Sequence, residues 1–217
     1  MSQTPVPAAL LSVVKHDLNP IRPLANPTFR ALALLPIGLM LLAGMPAFWR
    51  WQAHVKVAPW TSWGLSALEM GLSLIILAAG FREAVPGREL SSRKLCALIF
   101  VACAGFMFFN SGTQIPAPAA AHVWMHWLWE CLYMTISFSI PALVAPAWLV
   151  ARALPNRPAL TGALCGLGVG LMADAGLRLI CWDAGFAHLI VAHGGAIVLL
   201  VTLGATCATI VERVKSR

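Results

Sequence analysis

Charged side chains are scarce in this chain: Asp, Glu, Lys and Arg make up 11% of 217 residues, and only eight of them are acids. A soluble domain must cover its surface with polar groups, and so thin and clustered a supply excludes one of this length. Long polar segments are lacking as well. The connections between the apolar runs reach about a dozen residues, too short to hold a soluble domain or the nucleotide-driven chemistry one would carry. The first 28 residues have no basic segment ahead of their apolar patch, and Lys15, His16 and Asp17 follow it, so they do not read as a secretory signal.

What the chain does have is apolar residues, at 59%. Six runs, at 29–48, 61–80, 94–111, 127–149, 159–180 and 187–210, each approach the ~20 residues a helix needs to cross the hydrocarbon. A helix satisfies its own backbone at that depth. The expected fold is therefore all-α, a polytopic membrane protein of six transmembrane helices. Placing the N-terminus inside puts 12 of the 15 lysines and arginines on the inner side, leaving Arg50, Lys56 and Arg178 outside. This asymmetry predicts that both termini are cytoplasmic. The net charge of +7 then belongs to the inner face, beside anionic headgroups or an acidic partner; it signals topology rather than direct nucleic-acid binding. Three regions follow: a tail at 1–28, a bundle at 29–210 and a short tail at 211–217.

The N-terminal tail divides into PAALLSVVKHDL, a candidate short helix, and NPIRPLANP, whose three prolines forbid regular helix nearby. Such a strip suits docking to a partner, because its stiffness lowers the entropy lost on capture; a disordered leader has the same composition. In the fifth run, GALCGLGVGLMADAGLRLIC, Gly162, Gly166, Gly170, Asp174 and Arg178 recur at i, i+4. Small residues at that spacing let a second helix approach closely. The glycines follow no strand, which excludes a dinucleotide fold. Asp174 is expected to find its partner in Arg178, one turn on. Glu69 in the second run lies at similar depth, and the two acids predict a polar pocket in the outer half of the bundle.

The stretch HVWMHWLWECLY, residues 122–133, carries the densest chemistry. On a helix His122, His126 and Glu130 look the same way. Two imidazoles and a carboxylate on one face are ligands suited to zinc or copper, while a tryptophan-rich helix end is also what an interfacial belt requires. Five of the six histidines, His54, His122, His126, His188 and His193, map to the outer side, which adds His188 and His193 to the candidate ligands. Cys131 and Cys181 are the two cysteines near the outer face. They read as a disulfide pair, as ligands to one soft metal ion, or as inert buried thiols. Cys96, Cys103, Cys165 and Cys207 read as apolar fillers.

Three stretches carry a resemblance: HDLNPIRPL in the tail, WECLYMTISFSIPALVAPAWLVARALPNRPALTGALCGLGVGL in the middle and ADAGLRLICWDAGFAHLIVAHGGA near the end. Together they resemble the NrsF-like negative regulators of sigma factors, six-helix inner-membrane anti-sigma factors. The resemblance implies a regulator rather than an enzyme, located in the bacterial inner membrane. It implies a sigma factor of the extracytoplasmic-function type as cytoplasmic partner and the lipid bilayer as surroundings. It also implies a sensor of metal or oxidative stress whose paired cysteines are Cys131 and Cys181. Asp17, Asn19, Pro20, Arg22, Pro23 and Leu24 are the expected sigma contacts. No obligatory cofactor is implied, only a copper or zinc ion as the sensed ligand. The competing class is a membrane redox or transport protein binding metal, quinone or haem in the same pocket, with His126 and His193 as an axial pair.

Overall fold

The computed structural model describes residues 24–53, 60–111, 124–153, 155–181, 183 and 185–215. Its elements are α1 (Pro27–Leu32), α2 (Leu35–Ala53), α3 (Trp60–Glu83), α4 (Ser92–Ser111), α5 (Trp124–Ala151), α6 (Pro158–Leu177), a three-residue turn α7 (Phe186–His188) and α8 (Gly195–Lys215), with a π-helical segment, Leu189–Gly194, leading into α8. Six helical stretches are long and apolar enough to span a bilayer: Pro27–Phe48, Trp60–Glu83, Ser92–Ser111, Leu128–Ala151, Pro158–Leu177 and Phe186–Lys215. The chain is an all-α, multi-pass membrane protein.

Several helix ends differ by a few residues from the hydropathy reading, α8 running on to Lys215 among them, and two of the differences bear on the site. Pro27, expected in the extended strip, is the first residue of α1, and Asn26 caps that helix by accepting from the Thr28 backbone N–H at 3.1 Å. Proline suits this position because its missing N–H would have no helical acceptor there. At the other boundary α6 stops at Leu177 rather than 180. A tight turn follows, in which Leu179 N–H reaches the Gly176 carbonyl and Ile180 N–H the Leu177 carbonyl. Leu179 and Ile180 are apolar and buried, so hydropathy continues across a point where the helix does not. Cys181 is thereby carried past the end of α6.

Helix α6 forms the axis of the bundle. It is 83% buried along its membrane-spanning window, against 22% for α4 and α8, and it packs on α8, α3, α5 and α2. A Cβ placed on Gly162 would lie 2.0 Å from the Gly204 carbonyl oxygen, and one on Gly166 would lie 2.2 Å from that of Leu200. The reciprocal atom on Gly204 would meet the Gly162 carbonyl oxygen at 2.2 Å. Backbones this close exclude any side chain, which is the small-residue mode of membrane packing. Large apolar side chains such as Met40, Phe100, Phe108, Tyr133 and Val198 point outward, where lipid tails rather than water make the natural neighbour.

Because the spans alternate in direction, the beginnings of α3, α5 and α8 share one end of the bundle with the ends of α4 and α6. The tail enters at the opposite end, and there the buried Arg30 donates to the Leu149 carbonyl near the end of α5. Its guanidinium also lies 4.6 Å from the centre of the Phe81 ring. Lys215, at the end of α8, donates to the Ala151 carbonyl of the same α5 terminus. The last carbonyls of a helix have no partner within it, and two cations supply the donors here.

Candidate metal centre

Four side chains converge at the end of the bundle away from the tail. Cys131 comes from the start of α5, Cys181 from the turn after α6, His188 from α7 and His193 from the π-helical segment. One ligand atom from each lies within 4.8 Å of all the others. Cys131 Sγ is 3.6 Å from Cys181 Sγ, which is 3.3 Å from His188 Nε2. Cys131, His188 and His193 are buried and Cys181 is partly exposed, so among the described residues Cys181 is the member of the cluster nearest solvent.

These distances suit a tetrahedral ion. Bonds of about 2.3 Å to sulfur and about 2.0 Å to nitrogen set edges of roughly 3.8 Å between two sulfurs and roughly 3.5 Å between sulfur and nitrogen. The observed 3.6 and 3.3 Å fall close to both, while the widest edge must close by about 1 Å on binding to reach that tetrahedron. A disulfide demands far more of the same pair, because the sulfurs must approach to about 2.05 Å. Both cysteines are free thiols.

The surroundings are those of a ligand set held in place. Asp174 Oδ1 is 2.5 Å from His193 Nδ1, and His193 Nε2 has no hydrogen-bond partner among the described residues. The carboxylate thus fixes the tautomer and leaves the second nitrogen to bind. His188 has a carboxylate near it without a hydrogen bond: its Nδ1 lies 3.4 Å from Asp183 Oδ2, and its Nε2 is 3.3 Å from Cys181 Sγ. A carboxylate behind a ligating imidazole orients the ring and raises its basicity. The Cys181 thiol is held well below its ordinary range, chiefly by its hydrogen bond with Cys131 and then by the neighbouring histidines, against the opposing effect of burial. A thiolate is the form that binds metal.

The π-helical segment makes this meeting possible. On an α-helix residues five apart are about 140° apart around the axis, which would splay His188 from His193. In the wider turn of i→i+5 bonding they return close to one face, and the two ring centroids are 5.4 Å apart.

Beside the cluster lies a buried polar layer. Asp174 also accepts from Asn110 Nδ2 at 2.9 Å. The expected Asp174–Arg178 pair is not how Arg178 is used: its Nη2 lies 3.0 Å from Glu69 Oε2 and donates to Ser66 Oγ at 2.8 Å. Glu69 and Asp174 are fully buried and Arg178 is 2% exposed, so Arg178 is no loop charge on the outer surface. The geometric reason is that Asp174 continues the glycine stripe facing α8, whereas Arg178, beyond the helix end, turns toward α3.

Glu130 is half-buried beside Cys131 but outside the four-residue cluster among the described residues. His122 lies outside the described residues, and His126 is placed only as part of the α5 backbone. Of the expected sigma contacts, Leu24 is described and 42% exposed; Asp17, Asn19, Pro20, Arg22 and Pro23 lie outside the described residues. Sequence reasoning missed Asn110 and Asp183. Asn110, a lone amide at the end of an apolar run, was the available signal.

No curated protein and no solved structure matches this chain. A family model does, over residues 15–213: NrsF, the negative regulator of sigma F. A match over nearly the whole chain, on an all-α bundle holding a His/Cys cluster, establishes that this protein belongs to the NrsF family of regulators and is not an enzyme.

Proposed function

We propose that the protein is an inner-membrane anti-sigma factor of metal or oxidative stress. It holds a sigma factor of the extracytoplasmic-function type at its tail end and releases it when the Cys131, Cys181, His188 and His193 cluster captures zinc or copper(I), or when the two thiols are oxidised. The observation that carries this reading is a Cys2His2 set with a carboxylate beside each imidazole in a chain of a sigma-regulating family. Two thiolates and two imidazoles select borderline and soft ions over magnesium or calcium.

Both termini are assigned to the cytoplasm by the lysine and arginine asymmetry, which sets the cluster on the periplasmic side. The tail, residues 1–28, is assigned the sigma contact, through Asp17, Asn19, Pro20, Arg22, Pro23 and Leu24. Residues 29–210 are assigned to the sensing bundle and 211–217 to the short second tail, of which the part up to Lys215 continues α8. His122, His126 and Glu130 are assigned as further metal ligands.

Between the two ends, Cys131 and Leu149 are eighteen residues apart on α5, roughly 27 Å. The same α5 terminus receives Arg30, three residues into α1 from the tail, and Lys215, from the helix that follows His188 and His193. Closing the cluster by about 1 Å moves α5 against the α7–α8 segment, and Arg30 passes that shift to the root of the tail. Such coupling needs two packings whose balance both ends bias. The test is a pull-down of sigma factor from membranes by the full chain and by a chain lacking residues 1–23. Loss of sigma on truncation is expected; retention overturns the tail assignment.

A further inference from the structure

At the tail end, away from the metal cluster, a cavity of about 580 Å³ opens between the start of α1, the end of α3 and the start of α4. Three cations line it, Arg82, Arg88 and Lys94, and all three are exposed. Among the described residues no carboxylate lines it. The two acids nearest in sequence are engaged elsewhere, Glu83 with the Leu90 backbone N–H and Arg157, and Glu89 with Asn156 at 2.7 Å. The cavity therefore concentrates positive charge that nothing in the described chain neutralises.

The site is held in shape. Arg82 Nε donates to the Arg88 carbonyl at 2.8 Å, while its neighbour Glu83 accepts from Leu90. Two adjacent residues of α3 thus pin the connecting loop at two points. Just before the first pinned position, Gly87 sits at φ +78°, a conformation that glycine adopts without penalty. A preformed loop loses little freedom when a ligand enters.

Below the cations the walls change character. Ile75, Ala78, Ala79 and Leu98 line the same cavity, and Ile75, seven residues before Arg82, lies about 10 Å deeper along α3. Cations at the level of the helix ends above an apolar slot facing the hydrocarbon are complementary to one kind of molecule. We propose that this cavity binds an anionic phospholipid, its phosphate among Arg82, Arg88 and Lys94 and an acyl chain along Ile75 and Leu98. Inorganic phosphate would use the cations and leave the slot unfilled. Basic pockets between spans are a recurrent means of holding anionic headgroups. Asn26, Pro27 and Thr28, the residues that join the tail to α1, also line the cavity, so a bound lipid would rest against the root of the tail.

The test uses the full chain in detergent, titrated with phosphatidylglycerol or phosphatidylcholine and read by native mass spectrometry. One phosphatidylglycerol per chain is expected to survive activation where phosphatidylcholine does not. Arg88→Ala and Lys94→Ala should each weaken retention about fivefold while leaving the Arg82 pin intact, and Arg93→Ala, outside the cavity lining, should leave it unchanged. Ile75→Asp should abolish retention of the lipid while a soluble glycerophosphate headgroup binds as before. Equal retention of the two lipids, indifference to Arg88 and Lys94, or displacement by equimolar inorganic phosphate would each overturn the proposal. A Tm within a few degrees of the parent's confirms that the variants are folded.

Discussion

Replacing Asp174 tests whether the metal centre is a built site or a chance meeting of thiols and imidazoles. The carboxylate touches neither sulfur; its contribution runs through His193 Nδ1 at 2.5 Å, with Asn110 Nδ2 holding its second oxygen at 2.9 Å. Asp174→Asn keeps the shape and an acceptor oxygen but removes the charge that makes the imidazole a stronger donor. Asp174→Ala removes the acceptor too, and frees the ring to turn. Carboxylates in this position are typically worth 10–100-fold in metal affinity. The Asn variant is therefore expected to lose about tenfold and the Ala variant up to about 100-fold, or roughly 1.4 to 2.7 kcal/mol. The assay is competition for zinc between the detergent-solubilised protein and a chromophoric chelator, with His193→Ala as the reference for a lost ligand. Affinities within twofold of the parent for both Asp174 variants, beside a large loss for His193→Ala, would refute the reasoning.

Other outcomes follow from the same geometry. Gly166→Ala brings a methyl group against the Leu200 carbonyl and should cost about 1–3 kcal/mol in reversible unfolding by detergent mixtures, while Gly71→Ala, with nothing within 4 Å, should cost little. Arg30→Leu, which removes the donor to Leu149, should leave zinc affinity unchanged while weakening metal-driven release of sigma factor. The depressed Cys181 thiol should remain reactive toward a small alkylating agent below the pH at which an ordinary thiol protonates. Because the Cys131 hydrogen bond is the largest cause of that depression, Cys131→Ala should move the alkylation profile of Cys181 upward in pH.

How far the sequence alone reached depends on the kind of force involved. Hydropathy located all six spans, because crossing a bilayer is a property of a local run, and the recurrence of Gly162, Gly166 and Gly170 marked the close helix contact before its partner was known. The partner, α8 at Leu200 and Gly204, is a tertiary fact with no local signature. Arg178 shows the same limit: spacing offered it Asp174 on its own helix, but the helix ends first, and a buried acid more than a hundred positions earlier, Glu69, takes it. The meeting of His188 with His193 depends on a π-helical turn that α-helical periodicity would have argued against. Pro27 was read by its general aversion to helices, whereas its position beside Asn26 made it a helix start.

The account turns on metal capture at one end of the bundle changing the hold on a partner at the other. The most direct measurement is release of copurified sigma factor from the full-length protein in nanodiscs on titration with zinc or copper(I), compared with the Cys131→Ala/Cys181→Ala variant. The account predicts saturable release from the parent at the stoichiometry of one ion per chain and none from the double variant. Equal release from both, or none from a parent shown to be fully loaded with metal, would contradict it.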